Sequence, residues 1–200
     1  MTDHPSLRTA ATELFGVRYP IVQTGMGWVS GARLTAATAA AGGLGILASA
    51  TMRLSELSAA IDKVRERTDN PFGVNLLPSQ PDAAERIALI IDRGVPVASF
   101  AAAPRPDQVA TLREAGTATI VTVGAPRHAE KMAGIGVDAV IAQGAEGGGH
   151  TGTIPTALLV PGVVAATAGS GLVVLAAGGM RDGSSLAAAR VWGADGIAMG

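Results

Sequence analysis

Three histidines are available for proton chemistry: His4, His128 and His150. His4 lies in a polar tail and His128 follows Pro126 on an expected surface helix, so solvation accounts for both. His150 differs. It directly follows Gly147-Gly148-Gly149, on a loop where backbone can pass close to a ligand. A neutral imidazole there can move a proton near neutral pH. A capping or merely exposed loop histidine is the plainer alternative, and the residues alone leave the two open. Glu146 is the one acid in the same glycine loop. It reads as a supporting group, either a second proton handler or a ligand for a helix end. Asn75 closes one apolar run and Gln143 closes another. Their amides suit the polar edge of a heteroaromatic ring, with exposed loop amides as the bland alternative.

Other chemistries lack their parts. There is no cysteine, which excludes disulfides, thiolate metal sites and cysteine nucleophiles. The only lysines, Lys63 and Lys131, fall in helical segments, which argues against a Schiff-base enzyme. No histidine pair or carboxylate cluster has metal-ligand spacing, so no metal site is expected.

Glycine-rich sites follow several apolar runs. The first, Gly25-Met26-Gly27-Trp28-Val29-Ser30-Gly31, nearly spells a dinucleotide fingerprint. Its third glycine comes one position late, and no acid for a ribose occurs from Val29 to Arg53. The second, Gly144 to Thr151, has the spacing of a phosphate-cradling P-loop, but His150 stands where that loop needs a lysine. The third is Gly178-Gly179, followed by Asp182-Gly183, and a weaker fourth is Met199-Gly200. Glycines after late strands, with a helix N-terminus behind them, form an anion site that suits a phosphate. A tight turn is the alternative for each pair taken alone.

These loops need a scaffold that brings them to one end. Eight apolar runs recur: 20–24, 44–48, 72–76, 95–101, 118–123, 137–143, 172–177 and 196–199. They do not alternate, as befits strands covered on both faces. Helical patterns lie between them. Leu57, Ala60, Ile61 and Val64 share one face, as do Ala84, Ile87, Ala88 and Ile91, the latter after Pro81 and Asp82. Asp182 and Ser184 begin a helix that runs to about Trp192. Strand–helix alternation implies parallel βαβ units, and eight strands favour a (β/α)8 TIM barrel of the α/β class over an open doubly wound sheet. No linker interrupts residues 1–200, so a single domain is expected.

Composition agrees. Hydrophobic residues are 48% and charged residues 16%, which excludes a disordered chain. A net charge of −1 leaves no polycationic surface for nucleic acid. The charge-free stretch 147–180 is broken by Pro155, Pro161 and Gly169-Ser170-Gly171 into a helix and a strand, so no membrane span is expected. The amino terminus lacks a cationic segment followed by an apolar run, which points to a cytoplasmic protein.

Six segments carry a family resemblance: PIVQTGMGWVSG, AAAGGLGILAS, PFGVN, VIAQGAEGGGHTG, VVLAAGGMRDG and GADGIAMG. In this order they resemble the nitronate monooxygenase (2-nitropropane dioxygenase-like) family of FMN-dependent (β/α)8 barrels. The Gly-Met-Gly-Trp start and LGILASATM look most like actinobacterial members that act as flavin ene-reductases in steroid-ring breakdown. The flavin enoyl-thioester reductases of fatty-acid synthesis share the scaffold. The resemblance implies that Gly25, Met26 and Gly27 lie against the flavin, and that Asn75 and Gln143 bond its ring or ribityl chain. It implies that Gly148, Gly178, Gly179, Met199 and Gly200 offer backbone to the phosphate and nearby atoms. It makes His150 the catalytic histidine.

The activity implied is flavin-mediated oxidation of alkyl nitronates with O2. The alternative is NAD(P)H-dependent reduction of an enoyl or dienyl CoA thioester, and a further one is a non-catalytic barrel that binds a phosphorylated ligand. The partner is a small-molecule substrate, with a homodimer left open. Family chains continue past the last strand with a phosphate-contacting threonine, a helix and a C-terminal segment. This sequence stops at Gly200, so the expectation is a truncated barrel lacking its last helix, with one flank of bare apolar surface.

Overall fold

A computed structural model of the chain describes residues 4–149 and 151–200. The eight apolar runs are eight strands: β1 (Ile21–Gln23), β2 (Leu44–Ala48), β3 (Phe72–Leu76), β4 (Val97–Phe100), β5 (Ala118–Val123), β6 (Ala139–Gln143), β7 (Val173–Ala177) and β8 (Gly196–Met199). Each pairs in parallel with the next, and β8 returns to β1 through Val22↔Ala198 and Gln23↔Met199. The result is a closed TIM barrel. Seven helices connect the strands: α2 (Ala32–Ala40), α3 (Leu54–Arg65), α4 (Ala83–Asp92), α5 (Pro106–Glu114), α6 (Pro126–Gly134), α7 (Thr156–Ala166) and α8 (Gly183–Val191). A short α1 (Ala10–Phe15) precedes β1.

Burial on both faces explains the unbroken apolar runs. Along β2, Leu44 and Ile46 point into the barrel while Leu47 packs outward against the helices. The same alternation sets Ile120 and Ile141 inside and Val121 and Val140 outside. Close helix–sheet approach requires glycine at one point. A Cβ on Gly45 would come 2.3 Å from the Thr35 carbonyl of α2.

The sequence reading missed α1. Thr9 and Thr12 cap its start reciprocally, and Gly16 ends it at φ 65°. Its Ala11 and Phe15 join the core inside the barrel and close the end where the strands begin. Full burial of a side chain like Phe15 contributes about 2–3 kcal/mol.

Three details depart from expectation. The buried face of α4 is Ala83, Arg86, Ile87 and Ile90, rotated away from Ala84, Ala88 and Ile91. The cause is Arg86, 2% exposed, whose guanidinium donates to the Ser49 and Met52 carbonyls at 2.9 and 2.6 Å. Asp82 does not cap α4 through its side chain but pairs with Arg86 at 2.8 Å. Pro161 does not break the apolar stretch; it lies inside α7. Among the described residues no helix follows β8, and none is long and apolar enough to cross a membrane.

Candidate functional site

The carboxyl ends of the strands surround a cleft of about 670 Å³. Gly25, Met26, Gly27, Asn75, Gln143, Gly148, Gly178, Gly179, Met199 and Gly200 all line it. They come from five strand ends, so the barrel brings together what the sequence scatters over 176 positions, from 25 to 200. His150 lies outside the described residues. Its predecessor Gly149 lines the cleft.

The first wall is the loop after β1. A Cβ on Gly25 would come 2.5 Å from Asn75 Cβ, so only glycine lets this loop rest on β3. The loop is tied down by residues that sequence reasoning passed over. Ser30, 1% exposed, accepts from the Met26 N–H at 2.9 Å and donates to the Thr24 carbonyl at 2.9 Å. The Gln23 amide donates to Ser30 Oγ at 2.8 Å and to the Ile46 carbonyl at 3.1 Å. Trp28 follows at φ 59° and is 91% exposed beside this wall.

The second wall is the loop after β6. The Gln143 amide nitrogen donates to the Gly148 carbonyl at 2.9 Å, so this side chain also shapes the glycine loop. Gly148 lines the cleft, and a Cβ on it would meet nothing within 4 Å among the described residues. Glu146 is settled as a helix-end ligand. Its Oε2 accepts from the Thr156 N–H at 2.9 Å and from Thr156 Oγ1 at 2.7 Å, at the start of α7. Those two bonds, the hydroxyl's first, hold its carboxyl below the usual carboxylate range. Thr156 sits between two glycines. A Cβ on Gly144 or Gly178 would come 2.1 or 2.4 Å from its Oγ1. The glycine at 178 therefore serves the joint between two loops as well as the cleft.

The third wall follows β7 and β8. Gly178 and Gly179 have φ of 105° and 69°, conformations that glycine adopts readily. The N–H groups of Gly178, Gly179, Met180 and Gly200 donate to no acceptor among the described residues. At the helix N-terminus expected behind them, Asp182 takes one donor, accepting from the Ser185 N–H at 3.0 Å. Among the described lining residues Glu146 has the only charged side chain.

The floor is the top layer of side chains inside the barrel. Asn75, Ser99, Thr122 and Gln143 supply its polar half from β3 to β6, while Ala177 and Ala198 supply a small apolar part. Asn75 is 8% and Ser99 6% exposed. Ser99 and Thr122 had no signal beyond strand alternation near a rim. Such a floor suits a planar ring with one polar edge, and the orphan amides suit a phosphate tail.

The family model for nitronate monooxygenase matches residues 8–87 and 83–200. A Mycobacterium tuberculosis protein named (3aS,4S,5R,7aS)-5-hydroxy-7a-methyl-1-oxo-octahydro-1H-indene-4-carboxyl-CoA dehydrogenase is 59% identical over 97% of this chain and 55% of its own length. A probable nitronate monooxygenase of Staphylococcus saprophyticus is 32% identical over 97% of this chain and 67% of its own. The structure of FabK from Thermotoga maritima superposes with a TM-score of 0.92 at 39% identity, over 96% of this chain and 61% of that one. The chain thus spans just over half the length of the mycobacterial relative.

Proposed function

The chain belongs to the nitronate monooxygenase family, and from that premise we propose that it is the barrel of an FMN-dependent oxidoreductase acting on a CoA thioester of a fused-ring acid. The observation that carries the reading is the convergence of all ten predicted cofactor residues on one cleft with unpaired loop amides. The N–H groups of Gly178, Gly179, Met180 and Gly200 would hold the phosphate, since no cationic side chain among the described residues lines the cleft. Asn75 and the 25–27 loop would fix the ring. FMN supplies hydride transfer when bound. The protein positions the substrate, excludes water and handles the proton, the last assigned to His150 on the strength of the resemblance.

Identity favours the thioester reading, at 59% to the indene-carboxyl-CoA dehydrogenase against 32% to the probable nitronate monooxygenase. In that reading a nicotinamide nucleotide is the second substrate, and the enzyme works in the cytoplasm. The family model's own description favours a second reading, oxidation of an alkyl nitronate with O2.

Anaerobic mixing separates the two. The FMN-loaded chain is treated with NADH, with NADPH, and with an alkyl nitronate while the flavin absorbance is followed. Rapid bleaching by a reduced nicotinamide supports the thioester reading. Bleaching by the nitronate alone moves the assignment to the monooxygenase. Bleaching by none of them removes both.

A further inference from the structure

Ser99 and Thr122 sit on adjacent strands inside the barrel mouth, two residues beyond Val97 and Ile120, which point into the lumen core. Strand alternation therefore aims both hydroxyls at the cleft. Asn75 stands in register with Ser99 on the other side. The side chains of these three residues make no hydrogen bond to any described residue, although Asn75 and Ser99 are more than nine-tenths buried. Their polar atoms open on the cleft rather than being sealed in the core, so a ligand that displaces water there must pair with them.

We infer that Ser99 and Thr122 extend Asn75 into a hydrogen-bond row that reads the imide edge of a flavin ring and favours its two-electron-reduced form. The inference rests on the FMN reading above and deepens it. An imide edge alternates carbonyl, N–H and carbonyl. Hydroxyls both donate and accept, and an amide does the same through separate atoms, so the three residues match either polarity along that edge. Asn75 and Ser99 stand in register on strands about 4.8 Å apart, close to the span between the two carbonyls of such an edge, and Thr122 lies two residues beyond the register partner of Ser99, nearer the rim. The floor under β7 and β8 offers only Ala177 and Ala198, so the polar row also fixes which way round the ring lies. Reduction of the ring adds negative charge along this edge. A donor to a charged acceptor forms a bond roughly twice as strong as one to a neutral acceptor, so the row holds the reduced ring more tightly.

The test uses Ser99→Ala, Thr122→Val and their combination in the 200-residue chain, with Thr122→Ser as the conservative control. Dissociation constants are measured for oxidised FMN by fluorescence quenching. The midpoint potential of bound FMN is measured by dye equilibration. The double variant is expected to bind oxidised FMN about 10-fold and reduced FMN about 100-fold more weakly. The 10-fold difference lowers the midpoint potential by about 30 mV. Thr122→Ser is expected to match the wild type, with circular dichroism confirming that every variant is folded. Equal losses for both forms, or constants within twofold of the wild type, overturn the inference while leaving the FMN reading intact. Failure of the wild-type chain to bind FMN overturns both.

Discussion

Replacing Gly25 by alanine tests the contact that joins the first wall of the cleft to its floor. The added methyl would lie 2.5 Å from Asn75 Cβ, 3.0 Å from its Cγ and 3.2 Å from its Nδ2. Ordinary carbon–carbon contact begins at about 3.5 Å, so roughly 1 Å of movement is required. Asn75 cannot supply it. It lies in β3 between Val74 and Leu76, both at most 1% exposed, and pairs with β2 and β4. The 24–27 loop must move instead, against the bonds from Ser30 and Gln23.

Overpacking of this kind costs about 1–3 kcal/mol. If the strain is carried by the cleft, FMN affinity falls by about 10- to 100-fold. Gly27→Ala is the internal control, since its methyl would meet Thr51 Cγ2 at an ordinary 3.5 Å. Gly148→Ala is a second packing control, because its methyl would meet no described atom within 4 Å. Fluorescence titration with FMN and urea denaturation together should show both stability and affinity lowered in Gly25→Ala. Gly27→Ala and Gly148→Ala should leave stability unchanged, whatever each does to FMN affinity at the cleft. A Gly25→Ala protein with wild-type stability and wild-type FMN affinity would refute the packing argument.

Other substitutions probe the remaining walls. His150→Ala should retain FMN absorbance while turnover drops about 10²–10⁴-fold, measured by steady-state assay; unchanged turnover takes the proton role from His150. Gly179→Val places a β-branched side chain at φ 69° beside the unpaired amides, and should abolish FMN retention on gel filtration. The Glu146 carboxyl is held below its ordinary pKa by Thr156, so the joint between the β6 loop and α7 is at full strength above the usual carboxylate range and weakens as pH falls through the lowered value. FMN release followed on acidification should therefore show a step in the wild type that Glu146→Gln lacks, the variant releasing FMN more readily at neutral pH. An identical release profile for the two proteins contradicts the joint.

The barrel was legible because its strands are buried on both faces. Runs such as Leu44–Ala48, Phe72–Leu76 and Ala118–Val123 become strands end for end. The less legible parts have physical causes. Helix α1 is six residues long, and its role as a plug depends on Phe15 meeting side chains far along the chain. The α4 face was misplaced because a charged side chain, Arg86, takes a buried position by bonding to the carbonyls of the loop after β2. In the site, glycine pairs signalled the loops, since few other residues tolerate such turns. The partners that hold the loops, Ser30, Gln23 and Thr156, are ordinary residue types whose importance appears only in three dimensions. Ser99 and Thr122 are concealed for the same reason, as single hydroxyls within apolar strands.

Titration of the flavin-free chain with FMN, read as quenching of flavin fluorescence, reaches the cofactor site most directly. One-to-one saturable binding, weakened in Gly25→Ala and lost in Gly179→Val, is the expected result. Absence of saturable binding by the wild type, or binding that both substitutions leave untouched, would show that the cleft at the barrel rim is not where a flavin sits.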